Sequence, residues 1–216
     1  QTSYMKKQLI DAMPWLDKKT NIVVIPNPLN HKDVLEKSKT EISYLKKENY
    51  IVAAGRLAPV KGFDILINVY SKIYKELNCC KLFILGEGAD KDLLEVQIKN
   101  LGLEDKIILK GLVPNVYPYF KNAKLCVMSS RLEGFPNVLL QMMSQNNKVV
   151  TTLSAGDIEQ IKGIFTCPIN NEGKLADSII ECFKSNTDDR RVLFDHELSK
   201  RSLDSFVDSI ILEINK

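Results

Sequence analysis

The chain has 216 residues, of which 44% are hydrophobic and 26% charged, and a formal net charge of +3. That length fits one large domain or one domain plus extensions, and the composition is that of an ordinary soluble globular protein. The charge is too small, and the Lys and Arg too dispersed, to point to nucleic acid; no apolar run reaches membrane-spanning length and no signal peptide is visible.

Leu9, Ile10, Met13 and Leu16 fit a short amphipathic helix within residues 1 to 20. The β-branched run Asn21-Ile22-Val23-Val24-Ile25 predicts a strand, stopped by Pro26-Asn27-Pro28. Residues 31 to 48, rich in Lys, Glu and Ser, read as a solvated connector. From Tyr50 a strand and helix alternation begins. Ile51–Ala54 is an apolar run ended by Gly55, and apolar residues from Phe63 to Leu77 recur every three or four positions. Lys81–Leu85 is a second strand, followed by a helix through Leu93 to Leu101 with Gly102 at its end. Ile107–Leu109 is a third strand, and Tyr117 to Asn122 form a helical turn. A strand at 125–128, a helix from Pro136, a strand at 148–152 and a short helix near 156–161 follow. Phe165–Cys167 reads as a sixth strand, Leu175 to Phe183 as a helix, Asn186 to Arg190 as a polar break, and 191–214 as one or two terminal helices.

Near-continuous apolar strands separated by helices predict an α/β fold, a doubly wound, Rossmann-like parallel sheet covered on both faces. Such sheets bind ligands at the carboxyl ends of their strands. The loops Gly55-Arg56, Gly86-Glu87-Gly88, Gly111-Leu112-Val113 and Ser129 to Pro136 all follow strands.

Gly55-Arg56-Leu57-Ala58-Pro59-Val60-Lys61-Gly62 carries two cations five residues apart in a strand-to-helix loop. Two cations beside a helix N-terminus suit a pyrophosphate, although surface charge is the default reading for any Arg or Lys. Gly86-Glu87-Gly88 serves either a tight turn or a pocket wall. The stretch Ser130-Arg131-Leu132-Glu133-Gly134-Phe135-Pro136-Asn137-Val138-Leu139-Leu140-Gln141 opens a helix after a strand. Free N–H groups and the positive dipole end at that point form a site for phosphate. Glu133 does not help to hold phosphate, but a carboxylate there accepts hydrogen bonds from a hydroxyl-rich group such as a sugar. Its alternative role is a charge favoured by the helix dipole. Gln141 lies one turn inside the helix on the face of Asn137. Five cysteines without a C-x-x-C spacing suggest neither a zinc site nor a disulfide framework and fit a reducing cytosol. His31 and His196 are isolated and expected to face solvent, and no Asp-x-Asp or His cluster suggests a metal.

The segment from Ser130 resembles the signature of retaining glycosyltransferases of family 4, Ser-x-x-Glu-Gly-Phe-Pro-x-Val-x-x-Glu, which have the two-domain GT-B fold. The resemblance runs from about Val23 to Phe183 and rests on several motifs in order. It implies that Arg56 and Lys61, after Gly55, grip the donor diphosphate, and that Val113 lies against the base. It implies that Glu133 holds the sugar hydroxyls together with the amides of Gly134, Phe135, Asn137 and Val138, Pro136 having none. Gly88, in the loop read as either a tight turn or a pocket wall, is a further candidate donor-binding residue. Gln141 stands where the family has a ribose-binding Glu, keeping one carbonyl acceptor but losing the charge, a loss on the order of 1 kcal/mol.

By this resemblance the chain is the donor-binding half of a GT-B enzyme using a UDP-sugar or GDP-sugar, with no cofactor and no metal. Residues 1–48 would be the end of an N-terminal domain and linker, 49–185 the nucleotide-sugar-binding domain and 186–216 terminal helices, of which Leu203 to Ile214 cross back onto the first domain. That first domain, implied also by the start at Gln1, would bring the glycan or lipid-linked acceptor. Family members often build lipopolysaccharide or capsule, which implies a cytoplasmic protein in peripheral contact with the inner membrane face. A sugar-nucleotide epimerase of the same fold, a non-catalytic nucleotide-sugar-binding module and a ligand-free interaction domain are the alternatives.

Overall fold

A computed structural model describes residues 1–186 and 189–215. In chain order the elements are α1 (Ser3–Ala12), α2 (Pro14–Asp17), α3 (His31–Ser38), β1 (Tyr50–Ala54), α4 (Phe63–Ile73), β2 (Lys81–Leu85), α5 (Lys91–Asn100), β3 (Ile107–Gly111), α6 (Tyr117–Asn122), β4 (Cys126–Met128), α7 (Asn137–Gln145), β5 (Val149–Thr152), β6 (Phe165–Cys167), α8 (Glu172–Lys184), α9 (Arg190–Ser199) and α10 (Leu203–Ile214). The six strands form one sheet in the order β3-β2-β1-β4-β5-β6, every pair parallel. This is the doubly wound Rossmann-like arrangement expected from the strand and helix alternation.

The alternation of side chains along each strand divides the core in two. Tyr50, Val52, Phe83, Leu85, Cys126 and Met128 face one layer, with Val34 of α3, Phe120 of α6, Leu139 and Leu140 of α7, and Phe194 and Leu198 of α9. Ile51, Ala53, Leu82, Ile84, Val127 and Val150 face the other, against α4, α5 and α8. Gly102 takes the left-handed conformation just past α5, with φ of 64°.

Three sequence expectations need correction. Asn21–Ile25 is not a strand, because no strand of the sheet offers it a ladder; the neighbouring Leu29 makes only an isolated bridge to Ser202. Residues 31–48 are not a solvated connector. They contain α3, capped by the Asn30 side chain, and a 3-10 turn at Leu45–Lys47, and they bury Val34 and Leu45 in the core. His31 does not face solvent freely: its Nε2 lies 3.1 Å from the carbonyl of Leu198, which ties α3 to α9. His196 is exposed, as expected. In the polar break at 186–190, Thr187 and Asp188 lie outside the described residues, and α9 begins at Arg190.

The turn into β5 depends on one buried amide. Asn146 Nδ2 donates to the carbonyls of Phe120 and Ala123, each at 2.8 Å, and its Oδ1 accepts from the Lys148 N–H at 2.9 Å. Asn146→Ala leaves two buried carbonyls and one N–H without these partners. It is expected to cost about 2–3 kcal/mol in urea unfolding; a loss below about 0.5 kcal/mol, the scale of a neutral surface change, would contradict that accounting.

Candidate active site at the sheet's switch point

Chain direction across the sheet reverses between β1 and β4, which pair side by side at Val52 and Cys126. The loops leaving these two strands are the Arg56–Lys61 loop and the Ser129–Asn137 loop, so topology alone brings them together. Their contact is close. The Arg131 N–H donates to the Val60 carbonyl at 2.7 Å, and Ser129 Oγ donates to the Lys61 carbonyl at 3.0 Å. Gly62 has φ of 63°, and a Cβ there would stand 2.2 Å from the Ser129 carbonyl oxygen. Only glycine allows both the left-handed turn and that approach.

A cavity of about 420 Å³ lies where the loops after β1, β2 and β3 meet α7. Of the sequence-predicted residues, Gly55, Arg56, Val113, Val138 and Gln141 line it, and Glu87, Leu112 and Val116 are among the other lining residues. Arg56 is exposed and forms no ion pair among the described residues. Gln141 also meets Tyr117, whose phenol burial pushes up while the hydrogen bond from Gln141 pulls it down. Gly88 stands apart from this cavity and packs on the Leu57 carbonyl.

Phe135, Pro136 and Asn137 form the entry to α7, whose N-terminus carries no side-chain cap. Asn27 reaches this entry from outside the sheet, donating through Nδ2 to Asn137 Oδ1 at 2.8 Å and to the Phe135 carbonyl at 3.4 Å. In the sequence it reads only as the middle of a Pro-Asn-Pro stop.

Lys61 and Glu133 meet, although 72 residues separate them. Lys61 Nζ lies 2.5 Å from Glu133 Oε1, and the pair is largely buried, with side-chain exposures of 21% and 13%. Ser130 Oγ donates to the same oxygen at 2.7 Å. The two cations of this loop thus differ: Arg56 has no ion pair among the described residues, whereas part of the Lys61 charge is committed to Glu133. An ammonium has three donors, so Lys61 retains two for a ligand.

Arg131, not anticipated from the sequence, clamps the assembly. Its guanidinium makes a bidentate pair with Asp64 at 2.8 and 2.6 Å, donates to Asn170 Oδ1 at 2.9 Å, and reaches the Pro59 carbonyl. Burial raises the Asp64 carboxyl's pKa, but the hydrogen bonds and charge of Arg131 outweigh it and the net direction is down. A carboxyl whose pKa is lower in the folded state stabilises above its unfolded value, about 3.9, and loses that contribution as pH falls through the folded value. Melting temperature is expected to drop on acidification below about pH 4, and Asp64→Asn should flatten that drop. An identical acid limb in the variant would exclude Asp64 as a source of it.

Residues 35–195 match the family described as Glycosyl transferases group 1. The chain is 34% identical over 129 residues to the N-acetylgalactosamine-N,N'-diacetylbacillosaminyl-diphospho-undecaprenol 4-alpha-N-acetylgalactosaminyltransferase of Campylobacter jejuni, covering 60% of this chain and 34% of that protein. Among solved structures, a glycosyltransferase from Rickettsia africae superposes with a TM-score of 0.81 at 21% identity, covering 99% of this chain and 61% of the other. The Anabaena protein HepE in complex with UDP-glucose superposes with a TM-score of 0.76 at 21% identity, covering 89% and 57%. The chain thus spans about a third of the curated relative and somewhat over half of these two structures. With a matched segment that runs through the sheet, both loops and the cavity lining, this chain belongs to the group 1 glycosyl transferases and has the fold of one half of a GT-B enzyme.

Proposed function

We propose that this chain binds the donor of a retaining family 4 glycosyltransferase, which moves a sugar from a nucleoside diphosphate to a hydroxyl of a glycan or lipid-linked acceptor. One observation carries the reading: the cavity at the switch point is walled by an unpaired Arg56 and by Gln141, and it lies beside the uncapped end of α7. An anionic diphosphate is stabilised by that cation and by that helix terminus. The apolar wall of Leu112, Val113 and Val116 suits a base, and Gln141 then meets the ribose. The base is read as uracil, in line with the UDP-glucose held by the Anabaena structure. The α linkage in the name of the Campylobacter relative is consistent with retention from an α-linked donor.

During transfer the bond between the sugar's anomeric carbon and the phosphate oxygen breaks, and the acceptor oxygen takes its place. Negative charge grows on the leaving diphosphate. Arg56, and the two N–H groups that Lys61 does not spend on Glu133, stabilise it without a metal ion. Glu133, held by Lys61 and Ser130, positions the sugar. The acceptor and its catalytic contacts come from the N-terminal half of the whole enzyme, which acts at the cytoplasmic face of a membrane on surface-glycan precursors. Among the described residues no helix is long and apolar enough to cross that membrane. Gln141 favours a second reading, a non-catalytic nucleotide-sugar-binding subunit, and transfer of labelled sugar by the whole protein separates the two.

Calorimetry on this chain is expected to show UDP binding that persists in EDTA, without sugar transfer. Arg56→Ala should weaken it by about 1.5–3 kcal/mol, the scale of a hydrogen bond to a charged group. Unchanged affinity in that variant, or binding lost to the chelator, would contradict the assignment.

Gln141→Glu should tighten UDP binding by about 1 kcal/mol through charge-assisted bonds to the ribose. The gain should vanish for the 2′,3′-dideoxy nucleotide at the same ionic strength. Equal gains for both ligands would remove Gln141 from the ribose.

A further inference from the structure

Two segments far away in the chain hold the entry to α7 from behind. One is Asn27, whose Nδ2 joins Asn137 Oδ1 and the Phe135 carbonyl. The other is the junction of α9 and α10, where Arg201 Cζ lies 4.3 Å from the centroid of the Phe135 ring. These two segments are themselves joined, because the Leu29 N–H donates to the Arg201 carbonyl at 2.6 Å. The contacts close a triangle, with the turn at Phe135, the segment from Asn27 to Leu29, and Arg201 at its corners.

Arg201 is an unusual residue for that corner. Its side chain is only 9% exposed, and arginine is almost never fully buried unless paired. Nε donates to Glu197 Oε1 at 3.0 Å, from one turn earlier. Nη1 is buried and has no hydrogen-bond partner among the described residues. A buried guanidinium nitrogen without a partner costs free energy and calls for an explanation. Glu197 and the aromatic face are what fix the group, and a planar guanidinium suits stacking on a ring. Phe135 is itself buried and precedes Pro136, which restricts its backbone to extended conformations. With the ring under Arg201 and the carbonyl on Asn27, the turn into α7 is held by both its side chain and its backbone.

We propose that Arg201 is a positioning residue for the donor diphosphate: stacked on Phe135, it holds the α7 N-terminus in the direction that turns its first N–H groups and its dipole toward the phosphates. The inference rests on the nucleotide-sugar reading above and adds what orients the helix end on which that reading depends. Arg201 is not among the residues lining the switch-point cavity, so its effect passes through Phe135 and not through contact with the donor. The nucleoside end of the cavity, walled by the loops after β2 and β3, does not depend on this stack. Loss of Arg201 therefore acts on the phosphates and spares the base and the ribose.

The test is calorimetry with UDP and NMR titration with uridine, which carries the nucleoside but no phosphate, on the 216-residue chain, on Arg201→Met, on Phe135→Leu and on the double variant. Arg201→Met should weaken UDP binding about fivefold, the worth of a cation over an aromatic ring, and leave uridine binding unchanged. Arg201→Lys, which keeps the cation without the planar stack, should lose about twofold for UDP alone. In the Phe135→Leu chain, Arg201→Met should change UDP affinity by less than about twofold, because the two residues act as one unit. Unchanged UDP affinity in Arg201→Met, an equal loss for UDP and uridine, or the same loss with and without the Phe135 ring each overturns this inference alone. If Arg201→Met does not fold, Arg201→Lys decides in its place: a loss for UDP and not for uridine upholds the inference, and an equal or absent effect overturns it. Failure of the unaltered chain to bind UDP overturns the nucleotide-sugar reading and this inference with it.

Discussion

The Ser129 carbonyl occupies the space that any side chain on Gly62 would need, and the rest of the site depends on that contact. It seats the loop after β4 directly on the loop after β1. Once they are seated, Arg131 reaches Asp64 and the Val60 carbonyl, Ser129 reaches Lys61, and the Lys61 ammonium falls within 2.5 Å of Glu133. The residues proposed to meet the diphosphate and the sugar are thus tied together by these contacts. The parallel sheet supplies the proximity, because β1 and β4 are neighbours where the winding reverses.

Charge within this unit is divided unevenly. Lys61 shares its proton donors with a mostly buried carboxylate, whereas Arg56 lines the switch-point cavity, exposed and without an ion pair among the described residues. A buried carboxylate without a cation is costly. The Lys61–Glu133 pair gives the buried Glu133 carboxylate a cationic partner. Ser130 completes the arrangement by occupying the same oxygen as Lys61, which fixes the direction in which the other oxygen points.

Much of this was readable from the sequence. Apolar runs ended by glycine mark β1 to β3, and the periodicity from Phe63 marks α4, because a sheet buried on both faces leaves little room for polar residues in its strands. The loops around Arg56 and Glu133 were readable by position and by family pattern. What escaped was long-range or weakly patterned. Asn21–Ile25 has the composition of a strand, but a ladder needs a neighbouring backbone that composition does not reveal. Residues 31–48 bury few apolar side chains, too few to outweigh the surrounding Lys and Glu. The Arg131–Asp64 and Lys61–Glu133 pairs join residues 67 and 72 positions apart, and no local spacing announces them. Arginine is mostly exposed in proteins, so nothing in the sequence suggested that Arg201 would be buried on Phe135.

The central claim is that the cavity at the switch point holds a nucleoside diphosphate. Its most direct test is a titration of the isotopically labelled chain with UDP, following backbone amide resonances by NMR. The account predicts saturable shifts concentrated at Gly55, Arg56, Val113, Val138 and Gln141, with the α10 amides unmoved. No shifts, or shifts centred on the far ends of the strands near Tyr50 and Lys81, would contradict it.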